Sequence, residues 1–298
     1  MSIVVTTPTG QIGSRVARAL ADAGAPVTLL ARDPARLPDD LRDRADVRRG
    51  SLEDAASLRD ATRGAEALFL VVPPDFATRD WRAFQLGIAR AAAGAVRENG
   101  VRHVVLLSSG GAHRDDLLAI SRLGETERML ESAAPNVLSL RAGFFMENFL
   151  SAVPTIRETG TVFMGISPES RAAFVATRDI ADVAARHLLD RSWSGHRVLP
   201  VQGPEDLSFR EAAERLGEGT GRPVRYVQVG DDQVRAALLG AGASEHVADE
   251  YTRMFRRLDE TGFDREPRTP EATTPTTLAE WAREILRPLV GEPEPAGV

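Results

Sequence analysis

Apolar residues come in short runs through the first half of the chain, separated by stretches of mixed polarity with helical spacing. The runs lie at residues 2–6, 26–30, 47–49, 67–72 and 101–107, and a sixth, 136–141, follows an amphipathic stretch over 118–133. Strand-length runs that alternate with helices predict right-handed βαβ units and a parallel sheet. Leu68-Phe69-Leu70-Val71-Val72 shows no alternation, the pattern of a central strand buried on both faces. A helix expected over 78–99 meets Gly100, suited to a left-handed stop.

Beyond residue 150 the pattern is less regular. Residues 177–190 predict a helix capped by Thr177 with Asp179 in its first turn, and 196–201 a strand; both are expected to return to the first domain. A short strand is expected at 224–229 and helices at 231–240, 245–261 and 277–287. The organisation implied is α/β. A doubly wound parallel sheet comes from residues 1–150 with about 173–201, and a smaller, mostly helical C-terminal cap from about 151–172 with 202–290. The Pro/Gly-rich tail 291–298 is expected to be disordered.

Composition narrows the chemistry. With no Cys, disulfides, thiolate metal sites and cysteine nucleophiles are excluded, and no metal is expected. A net charge of −6, spread along the chain, argues against nucleic acid or an anionic membrane as partner. The apolar start reads as a first strand rather than a signal peptide, and no apolar stretch is long enough to span a bilayer, so a cytoplasmic location is expected. All 37 basic residues are Arg, so no mechanism that needs a lysine ammonium can operate here.

The first strand runs into Thr7-Pro8-Thr9-Gly10-Gln11-Ile12-Gly13 and then a helix over 14–23. A diphosphate wants backbone N–H donors at a helix N-terminus, where the macrodipole also favours negative charge. Gly10 lets the backbone approach the phosphates, and Gly13 lets the helix pack closely on the strand. The second strand ends at Arg32, Asp33 and, one turn further, Arg36. An acid at that point serves the ribose hydroxyl of NAD, whereas an Arg accommodates the extra phosphate of NADP. Arg32 makes NADP(H) the preferred cofactor, with Asp33 keeping NAD(H) as second choice. Ser51 and Leu52, after the third strand, are placed to touch adenine; Ser51 or Asp54 capping the next helix is the other reading. Val72-Pro73 and Ser108-Ser109-Gly110-Gly111 fall at the sheet's carboxyl edge, where ligands bind in such folds.

Four stretches carry a resemblance: VVTTPTGQIG, LLARDPARL, HVVLLSSGGAH and ETERMLESAAPNVLSLRAGFFMENFL. With them the chain resembles the NmrA-like group of atypical short-chain dehydrogenases/reductases, including its NADPH:quinone oxidoreductases, over nearly its full length. The resemblance implies a Rossmann fold and places the cofactor loop at Thr7, Pro8, Thr9, Gly10, Gln11, Ile12 and Gly13. It implies that Arg32 meets the 2′-phosphate and that Val72, Pro73, Ser108, Arg141 to Phe145 and Asn148 surround the nicotinamide. Phe144, Phe145 and Met146 are expected to line the substrate pocket, with core packing of one or two of them the competing reading; Asn148 is expected there too, orienting a carbonyl, with a helix cap the other reading.

There are departures. This chain has Thr7 where the family usually has Gly, Pro8 for Ala, and Ser51 for Asp. The usual Tyr–Lys acid–base pair is missing: the only tyrosines are Tyr226 and Tyr251, and Leu123 stands where several members keep a Lys. Catalytic residues are therefore unassigned, with Ser108, Ser109 and His113 as weak candidates.

The resemblance implies a reductase that moves hydride from NADPH to a ketone or quinone, an aromatic polyketide of antibiotic biosynthesis being one such acceptor. Acceptors of this kind form a stabilised oxyanion and need little help from a protein acid. The alternative is a non-catalytic NADP(H)-sensing protein that reports to a protein partner. An epimerase or isomerase ranks last, because those reactions also want a Tyr or Lys base.

Overall fold

A computed structural model describes residues 2–263 and 266–291. The expected tail lies, past Gly291, outside the described residues. The first half alternates as the pattern requires: β1 (Ser2–Thr6), α1 (Gln11–Asp22), β2 (Val27–Ala31), a 3-10 turn (Pro34–Arg36), α2 (Asp39–Arg42), β3 (Asp46–Arg49), α3 (Ala55–Thr62), β4 (Ala65–Val71), α4 (Trp81–Asn99), β5 (His103–Ser109), α5 (Ala119–Glu131) and β6 (Asn136–Ala142). The second half holds β7 (Phe144–Phe145), a 3-10 stretch (Met146–Ala152), α6 (Val153–Thr159), β8 (Thr161–Met164), β9 (Arg171–Val175), α7 (Thr177–Leu189) and β10 (Gly195–Val201). It closes with β11 (Asp206–Ser208), α8 (Phe209–Thr220), β12 (Arg225–Gln228), α9 (Asp231–Gly240), α10 (Glu245–Thr261), α11 (Leu278–Trp281), a π turn (Ala282–Leu286) and α12 (Arg287–Val290). Among the described residues, no helix is long and apolar enough to cross a membrane.

A seven-stranded parallel sheet has the order β10-β6-β5-β4-β1-β2-β3. The chain winds outward from β1 in one direction and then, from β4 on, in the other. The carboxyl ends of β1 and β4 therefore flank the switch point at which such sheets hold ligands. The fully buried residues of β4 and β5 are why these strands read as unbroken apolar runs. On one face, Val4, Leu68, Leu70 and Leu106 pack against Ile88 and Val96 of α4. Gly100 stops α4 in the left-handed region at φ 63°. Thr6, the last residue of β1, stitches β1 to β4: its hydroxyl donates to the Phe69 carbonyl (3.0 Å) and accepts from the Val71 N–H (3.0 Å).

The chain divides into two compact units, one formed by residues up to Arg141 with Ile180–Leu199, the other by Ala142–Asp179 and the chain from Pro200 on. The divisions fall at 141/142 and 179/180, against 150 and about 173 read from the pattern. The second unit is mostly helical but also holds short strands that the pattern did not separate from loop. β9 pairs parallel with β7 and antiparallel with β11, and β8 pairs parallel with β12. Its core centres on Phe149, Phe174, Phe209 and Trp281, all essentially buried.

Two helices differ from expectation. Thr177 does not cap α7; it is the helix's first residue, and Glu147 takes its N–H (3.1 and 3.0 Å) and its hydroxyl (2.6 Å). The final helix is interrupted by a π turn over Ala282–Leu286. Pro288 has no N–H to give to the Glu284 carbonyl, so the ladder slips there.

Candidate functional site

The turn between β1 and α1 is built by three residues. Thr7 sits at φ 49°, a left-handed conformation that L side chains rarely adopt and glycine adopts freely. Its carbonyl receives the Gly10 N–H at 2.9 Å, closing the turn. Gly10 is the N-cap of α1 and offers no side-chain cap, so the N–H groups of Ile12 and Gly13 begin the helix before any intrahelical acceptor is reached. Gly13 is required by space: a Cβ there would lie 2.3 Å from the Thr7 carbonyl oxygen and 2.9 Å from that of Thr6. Helix α1 can therefore press its first turn against the end of β1 only without that atom.

A cleft of about 700 Å³ opens beside this turn. Thr7, Pro8, Thr9 and Gly10 line it together with Arg32, Asp33, Arg36, Ser51, Leu52 and Pro73, residues that follow β1, β2, β3 and β4. Seven of the expected cofactor residues thus share one cavity: Thr7, Thr9, Gly10, Arg32, Ser51, Leu52 and Pro73. Gln11 is exposed on the first turn of α1, Ile12 is buried beneath it, and Val72 packs on the α4 side of the core.

Asp33 is the N-cap of the Pro34–Arg36 turn, its carboxylate accepting the Ala35 N–H at 3.1 Å. The acid is engaged in holding the turn that carries Arg36. Arg32 and Arg36 are both exposed, and among the described residues neither guanidinium has an ion-pair partner. Two unneutralised forks at the mouth of a cleft are a built environment for a phosphoryl group. Of the two readings for Ser51 and Asp54, the cap belongs to Asp54, which accepts from the Ala56 and Ser57 N–H groups (both 3.1 Å), leaving Ser51 on the cleft.

At the carboxyl ends of β5 and β6 lies a polar chain. Ser108 is buried and donates its hydroxyl to Glu127 Oε1 at 2.5 Å. Arg141 grips the same carboxylate through Nε (3.1 Å to Oε1) and Nη2 (2.8 Å to Oε2). Arg141 Nη1 reaches His113 Nδ1 at 3.4 Å. Gly124 lets α5 approach the loop after β5, since a Cβ there would meet the Ala112 carbonyl oxygen at 2.0 Å. Ser109 donates to the Gly110 carbonyl at 3.1 Å. Both serine hydroxyls are therefore already committed as donors, whereas His113 is exposed. Sequence reasoning did not single out Glu127. The available signal was an acid on the inward side of an amphipathic helix, with an Arg ending a buried strand.

In the second unit, Met146 is 1% exposed and belongs to its core rather than to an open pocket. Phe144 packs edge-on against Phe174 and Phe209 (ring centroids 5.5 and 5.3 Å). Phe145 is half-buried in β7, pairing with Val175, and Asn148 is exposed. Asn148 caps no helix: the 3-10 stretch starts after Phe145. The tyrosines are poor acids. Tyr226 donates to the Ile166 carbonyl at 2.7 Å, and burial pushes its hydroxyl well above the usual phenol range; burial raises Tyr251 as well.

The seven-stranded sheet and its first β–α turn define a Rossmann-like α/β protein. The chain matches the NmrA-like family over residues 1–282 and belongs to that family. It is 32% identical over 256 residues to the NAD(P)H azoreductase of Xenophilus azovorans, covering 85% of this chain and 86% of that one. It is 37% identical over 240 residues to the (4-alkanoyl-5-oxo-2,5-dihydrofuran-3-yl)methyl phosphate reductase of Streptomyces griseus, covering 80% of each. The triphenylmethane reductase of Citrobacter sp., solved with NADP(H), shares the fold with a TM-score of 0.79 at 20% identity, over 95% of this chain and 99% of that one.

Proposed function

We propose that this protein is an oxidoreductase that takes NADP(H) in preference to NAD(H) and reduces a small, electron-poor acceptor, a ketone or a quinone. The observation that carries the reading is the pair of unneutralised guanidiniums, Arg32 and Arg36, on the cleft that also holds the start of α1. The named activities of the azoreductase and the furanone phosphate reductase support a reductase, and the NADP(H) bound by the triphenylmethane reductase supports the cofactor.

In this reading the first turn of α1 receives the diphosphate on backbone N–H groups, and Gly13 keeps that turn against β1. Arg32 and Arg36 receive the 2′-phosphate, while Asp33 fixes the turn between them. When bound, the reduced nicotinamide supplies the hydride. The chain supplies no Tyr–Lys pair, since it contains no Lys. Ser108 is held by Glu127 and acts as part of the scaffold under the carboxyl edge. The favoured acceptors are therefore those whose oxyanion is stabilised by its own conjugation, quinones and aromatic polyketide ketones among them.

The test is a titration with NADPH and NADH followed by NADPH oxidation against a panel of quinones and aromatic ketones. Tighter NADPH binding with turnover of at least one acceptor is the expected result. Tight NADPH binding with inertness across the panel would favour the cofactor-sensing alternative, and no binding of either coenzyme would overturn the reading.

A further inference from the structure

Resting on the NADP(H) reading, we infer that Glu53 is the residue that selects adenine as the base of the coenzyme, its carboxylate accepting a hydrogen bond from the exocyclic N6 amino group.

Three carboxylates line the cleft: Asp33, Glu53 and Asp75. Two of them are engaged by the backbone. Asp33 accepts the Ala35 N–H at 3.1 Å, and Asp75 accepts the Ala77 N–H at 3.0 Å. Glu53 is exposed, and among the described residues its carboxylate has neither a hydrogen-bond donor nor a cation as partner. It shares the cleft with Arg32 and Arg36 and pairs with neither. An ionised carboxylate can only accept, so the group it suits is an N–H or O–H of the ligand.

The backbone that carries Glu53 is tied at both ends. Gly50 gives its N–H to the Ala31 carbonyl at 3.0 Å, which holds the loop to the end of β2. The Glu53 N–H goes to Ser51 Oγ (3.3 Å) and the Asp54 N–H to the Ser51 carbonyl (3.2 Å), and Asp54 caps α3. Ser51 is thereby a positioning residue, and the free acceptor belongs to Glu53.

Strand order decides which ligand group lies there. β1, β2 and β3 follow one another outward from the switch point. With the diphosphate on the turn after β1 and the 2′-phosphate on the arginines after β2, the base comes to the loop after β3. Leu52 in that loop, with Phe84 and Ile88 of α4, gives the cleft apolar walls suited to the faces of a purine. The N6 amino group is the one N–H donor of an adenine joined to ribose. A ribose hydroxyl is the poorer partner, since it would draw the carboxylate towards the phosphate dianion.

Binding alone tests the assignment, without turnover. NADPH is titrated against its hypoxanthine analogue, in which a carbonyl oxygen replaces the amino group. The parent should bind NADPH about tenfold more tightly, the effect of one hydrogen bond to a charged group. Any repulsion between Glu53 and the phosphates is common to both coenzymes, so the ratio of their affinities isolates the base contact. Glu53→Ala should bring that ratio to about one, by weakening NADPH and not the analogue. Glu53→Gln, whose amide can donate as well as accept, should also remove the preference. A parent that binds the two alike, or an unchanged ratio in Glu53→Ala, would overturn the inference while leaving NADP(H) binding in place. An equal loss of both coenzymes in Glu53→Ala would put the carboxylate on a ribose hydroxyl and overturn it too. A parent that binds neither coenzyme would overturn the cofactor reading, and the inference with it.

Discussion

Arg141 and Glu127 form a two-pronged ion pair beneath the carboxyl edge of the sheet, at 2.8 and 3.1 Å, with almost no solvent around it. Removing one partner of such a pair leaves a buried charge without compensation. Glu127→Ala should cost about 3–5 kcal/mol, read as a lower midpoint in denaturant unfolding. The double variant Glu127→Met with Arg141→Met should recover most of that loss. A single variant that unfolds like the parent would show that the pair carries no such weight.

The two glycines of the first turn should respond differently. A methyl at Gly13 meets the Thr7 carbonyl oxygen at 2.3 Å, whereas at Gly10 the nearest contact is 3.3 Å and the backbone is ordinary. Gly13→Ala should destabilise the fold by about 1–3 kcal/mol, the range for forced overpacking. Gly10→Ala should fold nearly normally and weaken coenzyme binding instead. Thermal unfolding and NADPH titration of the same two variants separate the effects.

Thr7 at φ 49° should be improved by glycine. Relief of the left-handed penalty, about 1–2 kcal/mol, is partly offset by the greater freedom of glycine in the unfolded chain. A net gain of about 0.5–1 kcal/mol is expected for Thr7→Gly in chemical denaturation. A loss would mean that the threonine side chain makes contacts worth more than the strain.

Arg32→Ala and Arg36→Ala should each weaken NADPH binding about tenfold or more, equivalent to about 1.4 kcal/mol, while NADH binding changes little. Isothermal titration with both coenzymes decides it. Parallel losses for the two coenzymes would remove phosphate recognition from both residues.

His103 gives a pH signature. Its imidazole is buried and packs edge-on against Trp193 at 4.9 Å. Burial holds its pKa below the ordinary 6.5, opposed by the hydrogen bond to the Trp193 carbonyl. The unfolded chain therefore takes up this proton at a higher pH than the folded one. Its contribution to stability is present above about pH 6.5 and is lost as pH falls from there towards the folded pKa. Unfolding midpoints measured between pH 7.5 and 5.5 should fall less steeply for His103→Gln than for the parent.

Much of this architecture was legible because local pattern and global burial agree in the first unit. β1 falls where periodicity placed it, and Gly100 ends α4 as its missing Cβ allows. Arg32 stood out because it follows a strand, and the structure places it on the cleft. The chain Ser108–Glu127–Arg141 was not, since its members stand 19 and 14 positions apart and meet only once α5 has packed on the sheet. Asp33 was ambiguous for a different reason: a carboxylate can cap a turn or bind a ribose, and its 3.1 Å cap on the Ala35 N–H forms only once the chain turns there. The short strands β8, β9 and β11 escaped because three to five residues carry too little periodicity to stand out from loop.

Glu147 has a consequence for the order of assembly. Its carboxylate collects donors from Thr177, 30 positions later, and from the Trp281 indole, 134 positions later (3.2 Å). A ribosome that has just delivered Glu147 has delivered neither partner. Strands β1 to β5 can find one another early in synthesis, but the second unit must wait for nearly the whole chain before this carboxylate has met both of its partners. Nascent chains stalled before Trp281 should accordingly leave that half exposed to proteases.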